Sequence, residues 1–115
     1  MTLDSRQLRL QDWAPLFDEK VLARGRSYAK LGMVRIIQVT AQTIEARCHG
    51  TAERPYRQHI LLRAGGEHWR IEGRCSCPVG GNCKHIAAVL ITLEQLQQRN
   101  DPLAVPIELP QAERE

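Results

Sequence analysis

Residues 74–85 read RCSCPVGGNCKH and contain three of the chain's four cysteines and one of its four histidines. The spacing is Cys75-x-Cys77, five residues, then Cys83-x-His85. Zinc takes four ligands in a tetrahedron, with thiolate sulfur at about 2.3 Å and imidazole nitrogen at about 2.0–2.1 Å. On an extended strand, residues two apart project from one face, so Cys75 and Cys77 can reach one ion from a strand end. Pro78 lacks a backbone donor and stops a ladder. Gly80 and Gly81 let the chain reverse. Asn82 is a favourable N-cap, which starts a helix at Cys83 and places Cys83 and His85 in its first turn. The positive end of that helix favours thiolate over thiol. Cys75, Cys77, Cys83 and His85 are therefore expected to hold one structural zinc ion. Four protein ligands close the coordination sphere, the mark of a structural rather than a catalytic site.

Downstream of this knuckle, Ile86, Val89, Leu90, Leu93 and Leu96 recur at helical spacing and predict a helix over 84–99. Upstream the period is two. Residues 33–40 (MVRIIQVT), 43–49 (TIEARCH), 56–63 (YRQHILLR) and 67–73 (EHWRIEG) read as four strands, with Gly65-Gly66 as the last turn. Short loops between them imply an antiparallel meander. Its outward positions include Arg35, Glu45, Arg47, Arg57 and Arg70, so one face is expected to be wet and arginine-rich. Before the strands, residues 13–31 predict a helix with an apolar stripe of Leu16, Phe17, Val21, Leu22, Tyr28 and Leu31, interrupted by Gly25 and ended by Gly32. The fold class that results is α+β: a small four-stranded meander with an N-terminal and a C-terminal helix, the latter joined to the sheet by the knuckle. Residues 1–12 read as a lead segment, 13–99 as the zinc-binding domain and 100–115 as an acidic tail carrying Pro102, Pro106 and Pro110.

A chain of 115 residues, 43% apolar and 25% charged, allows one domain with an aliphatic core, since aromatics are only 4%. No apolar run approaches the roughly 20 residues that span a bilayer, and residues 1–10 have no signal-peptide block. These features place the chain in the cytoplasm, where clustered cysteines stay reduced and ligate metals. The net charge of +3 is unevenly spread. Residues 20–99 hold ten arginines and three lysines against five glutamates, whereas 1–19 and 100–115 are both acidic. A basic middle suits a polyanion, and Arg47, Arg54, Arg57, Arg63, Arg70, Arg74 and Lys84 are the candidate phosphate contacts. Outward arginines that serve only solubility would give the same pattern.

The remaining chemistry-bearing residues read more plainly. Cys48 is a small buried strand residue, His49, His59 and His68 are surface histidines, and Trp13 and Trp69 are core anchors. No catalytic triad or carboxylate pair is legible, and no GxxxxGK[ST] phosphate loop occurs, so neither an enzyme nor an ATPase motor is expected here.

CSCPVGGNCKH followed by IAAVL resembles the SWIM zinc finger. The upstream helix with RGRSYAKLG and the strands running into the finger look like the version found near the N-termini of bacterial Swi2/Snf2-type helicases. The resemblance covers about residues 16–97. It implies that Cys75, Cys77, Cys83 and His85 are the zinc ligands and that the module binds DNA or proteins, with a Swi2/Snf2-type ATPase as one possible partner. A protein-interaction adaptor without nucleic-acid binding is the alternative, with the tail residues Leu103, Val105, Ile107 and Leu109 as its docking segment.

Overall fold

Asp18 takes an extended backbone and its side chain accepts a hydrogen bond from the N–H of Lys20 at 2.8 Å, which starts helix α1 at Glu19–Lys30. The computed structural model describes Arg9 and residues 13–50, 52–65, 68–80 and 82–104, with only the backbone given at 64–65 and 68–69. The helix expected from Trp13 thus begins later. A 3₁₀ turn at Ala14–Leu16, containing Pro15, comes first, and the chain is extended at Phe17 and Asp18. Trp13 and Phe17 still enter the core, meeting edge to face with ring centroids 5.6 Å apart. Leu16 and Leu31 leave the predicted stripe and are exposed.

The buried face of α1 is Leu22, Gly25 and Ala29. It packs on helix α2, Lys84–Gln98. A methyl group added at Gly25 would lie 2.8 Å from the Ala87 Cβ and 3.1 Å from the Ala88 backbone nitrogen. Gly25 is therefore the point of closest approach between the helices, and its poor helix propensity is offset by the packing it permits. Both helices end alike. After α1, Gly32 (φ +70°) donates to the Ala29 carbonyl and Met33 to that of Tyr28. After α2, Asn100 (φ +54°) donates to Gln97 and Asp101 to Leu96. The chain then makes a 3₁₀ turn at Pro102–Ala104, whose Ala104 is buried beside α2 and the first strand. The first residues of the expected tail thus lie against the body, and residues 105–115 fall outside the described residues.

Strands β1 (Val34–Val39), β2 (Thr43–Cys48), β3 (Tyr56–Gly65) and β4 (His68–Cys75) pair antiparallel in sequence order. The meander is as predicted, except that β3 includes Gly65, expected in the turn, and β4 extends to Cys75. Gly66 and Glu67 fall outside the described residues. A bulge at Ile37 lets Ile36 and Val39, three positions apart, both face inward. One face of the sheet, with Ile36, Ile44, Ala46, Ile60, Leu62 and Ile71, is buried beneath the Ile86, Val89, Leu90 and Leu93 side of α2. The opposite face carries the arginines.

Placing Gly25 at a helix crossing has a measurable consequence. Gly25→Val overpacks the contact with Ala87 and should cost about 1–3 kcal/mol, read as a lower midpoint in urea unfolding with zinc present.

Candidate metal centre

Cys75 closes β4 opposite Gln58 of β3, and its N–H donates to the Gly80 carbonyl across the turn. Gly80 has φ +91°, a conformation open to glycine. The next residue locks the knuckle to the sheet. Ser76 donates its N–H to the Arg57 carbonyl at 3.0 Å, and its hydroxyl accepts the Arg57 N–H at 2.8 Å. Cys77 lies in the bend beyond the ladder, which ends at Cys75, ahead of Pro78.

The predicted N-cap is corrected by one residue. Cys83 is the N-cap of α2, with an extended backbone, whereas Asn82 has φ +26° and uses its side-chain oxygen to accept from the Gly73 N–H of β4 at 3.3 Å. The positive φ at position 82 departs from the extended backbone of an N-cap, and the amide instead ties the helix start to the strand. A methyl at Gly73 would come within 2.9 Å of both the Asn82 oxygen and Ile86 Cγ2, so the bare backbone there lets α2 sit close.

All four predicted ligands are buried and converge. Their ligand atoms lie within 4.8 Å of one another. Cys77 Sγ is 3.5 Å from Cys83 Sγ, and His85 Nδ1 is 3.7 Å from Cys75 Sγ and 3.6 Å from Cys83 Sγ. A tetrahedral zinc ion requires sulfur–sulfur edges of about 3.8 Å and sulfur–nitrogen edges of about 3.6 Å, from its bond lengths. The cluster fits one zinc ion.

Hydrogen bonding from Cys83 pulls the Cys75 thiol well below its ordinary range, and the same contact, together with burial, pushes Cys83 up. A divalent metal would stabilise thiolate at all three sulfurs. Cys48 stands apart from the cluster. Burial raises its pKa to about 11, followed by the influence of Cys75 and Cys77, and it remains a neutral thiol in the sheet.

Supporting residues surround the ligands that the sequence reading did not single out. Gln58 is buried at the inward position opposite Cys75 and donates its amide to Cys75 Sγ at 3.4 Å and to the Tyr56 carbonyl at 2.9 Å. Its position was detectable, because it shares strand parity with Ile60 and Leu62 and is the one polar residue in that row. The His85 ring is held between Tyr56 and Tyr28, at centroid distances of 4.8 and 5.4 Å. Its Nε2 is buried without a hydrogen-bond partner among the described residues, and the two tyrosine rings pack against the imidazole. Gly50 backs this arrangement, since a methyl there would lie 2.7 Å from Tyr56 and 3.1 Å from His85 Nε2.

The candidate phosphate contacts occupy three places. Arg57, Arg63, Arg70 and Arg74 are exposed and Arg47 half-buried, all on the outer face of the sheet. Arg54 is exposed in the connection between β2 and β3. Lys84 stands on the helix side, its ammonium 5.6 Å from the Tyr28 ring centroid. Of the other residues read at the outset, Trp13 is in the core, and His49 and His59 are exposed, the latter 3.3 Å from Glu45. The side chains of His68 and Trp69 fall outside the described residues.

A four-stranded sheet and a helix joined through a buried Cys3His cluster define a small α+β zinc-finger domain. Residues 71–94 match the family model of the SWIM zinc finger; the match covers most of β4, the knuckle and eleven of the fifteen residues of α2. No curated protein and no solved structure matches the chain.

Two substitutions separate ligands from bystanders. Cys48→Ala should leave one zinc per chain. Gly50→Val, which touches no ligand sulfur but drives into Tyr56 and His85, should weaken zinc about 10–100-fold in a competition titration with a chromophoric chelator.

Proposed function

We propose that this chain is a zinc-stabilised nucleic-acid-binding module whose contact surface is the outer face of the sheet, rather than the metal centre. The carrying observation is a row of like charges. Arg35 pairs with Arg47, and Arg47 with Arg57, in register across three adjacent strands. Strands lie about 4.8 Å apart, and like charges directly opposite one another are destabilising. Arg35, not among the candidates read from the sequence, completes this row.

Charge compensation on the face is partial. Glu45 sits beside His59, and Glu72 is 3.9 Å from Arg63. Arg74 shares a shallow depression of about 390 Å³ with Arg47, Arg57 and Ser76. A surface of this kind suits phosphates, which position a polyanion without reading its sequence. The zinc ligands serve indirectly. Three thiolates and one neutral imidazole leave a zinc-loaded site negative, so the ion does not itself attract phosphate. It anchors the knuckle that holds the Arg57 backbone through Ser76.

The reading is of a binding module and not an enzyme, since four protein ligands would complete a zinc tetrahedron and leave no position for substrate. Among the described residues no helix is long and apolar enough to cross a membrane, and the free cysteines suit the reducing cytoplasm. Resemblance to the module near the N-termini of Swi2/Snf2-type helicases supports work beside such a motor.

Fluorescence anisotropy with a short DNA duplex across a salt series tests the reading. Affinity should fall linearly with salt on logarithmic axes, and Arg47→Glu with Arg57→Glu should reduce the slope by about two without changing zinc content. Absence of binding to duplex or single-stranded DNA and to RNA at low salt would overturn it, as would an unaltered slope in the double variant.

A further inference from the structure

β1 is an end strand: among the described residues it pairs with β2 alone. Its other side presents backbone donors and acceptors to whatever lies beside it. Beside it runs a groove of about 820 Å³ between the C-terminal ends of α1 and α2. Ala29, Ile36 and Leu96 contribute buried apolar surface, and Ile37 and Leu103, both exposed, stand at the rim. Thr92 of α2 also lines the groove.

The charge around the groove is of one sign. Lys30, Arg35 and Arg99 line it, and no acidic residue does so among the described residues. Lys30 lies in the last turn of α1 and Arg99 is the C-cap of α2. They offset the partial negative charge of the two helix ends, which would otherwise repel an anion.

We propose that this groove and the edge of β1 left unpaired among the described residues form a docking site for an extended peptide of alternating apolar and acidic residues, supplied by a partner protein. The peptide adds a strand to β1 by main-chain hydrogen bonds. Successive side chains of a strand point to opposite faces, so its apolar residues cover Ile36 and Leu96 while the acidic residues between them face Arg35, with Lys30 and Arg99 adding attraction from the helix ends. About six residues, spanning roughly 20 Å, match the length of β1. This surface is separate from the sheet's outer face, sharing only Arg35 with it.

The test uses the full chain with zinc and two probes, acetyl-Glu-Val-Glu-Ile-Glu-Val-Glu-amide and its counterpart with lysine in place of glutamate. The acidic probe should bind at least ~10-fold more tightly and slow amide hydrogen exchange along Val34–Val39 without changing exchange in the centre of β3. Lys30→Glu with Arg99→Glu should reduce the preference severalfold while leaving duplex DNA binding and zinc content unchanged. Equal binding of the two probes, or protection elsewhere, would overturn the proposal. So would β1 amides already as slow as those of β3 and unaffected by the probe. In that case the edge is already covered, by the chain itself or, if dilution restores exchange, by a second copy.

Discussion

Three sulfurs and one imidazole nitrogen within 4.8 Å of one another are the constraint on which the rest of this molecule depends. Two of the sulfurs come from the end of the sheet and its bend, and the remaining two ligands from the start of α2. A small domain buries a limited share of its surface. Structural zinc supplies an apparent 10–16 kcal/mol in comparable sites, as much as the net stability of a whole domain. The contacts that bring strand and helix together here are short and local: Asn82 to Gly73, Ser76 to Arg57, Gln58 to Cys75. Each positions a ligand or the backbone next to one, and none substitutes for the attraction that a metal would provide among three neighbouring thiols.

From that junction the architecture divides into two sides. Toward the helices, α2 lies on the sheet's apolar face and α1 lies on α2 through Gly25. Away from them, arginines stand in cross-strand register where a neutral alternation would be more stable. The metal centre and the arginine face are linked through the residue between the first two cysteines. Ser76 follows Cys75 along the chain and hydrogen-bonds both backbone groups of Arg57. A structural ion can thereby set the geometry of a surface it does not touch.

Much of this was legible in the sequence because the signals were strong and local. The spacing of Cys75, Cys77, Cys83 and His85 names a tetrahedral donor set, the alternation of residues 33–73 gives the meander, and the stripe from Ile86 to Leu96 gives α2. The misread features are those that depend on contacts distant in sequence. Gly25 looks like a defect until Ala87 is placed against it. Asn82 looks like an N-cap until Gly73 is found beside it. Asp18 does not stand out as a cap, because the apolar residues around it, Leu16 and Phe17, fit a helical period that the chain does not follow there. The bulge at Ile37 has no distinguishing residue and arises from the need to bury both Ile36 and Val39. Gln58, Tyr28, Tyr56 and Gly50 carry no metal-binding signature of their own; they matter through what the fold sets them against.

The most direct test of the central claim is thermal unfolding of the purified chain with metal content measured in parallel, before and after treatment with a strong chelator. The account predicts one zinc per chain and a cooperative transition that is lost on chelation and restored by stoichiometric zinc. A metal-free protein that unfolds cooperatively at the same temperature would contradict it.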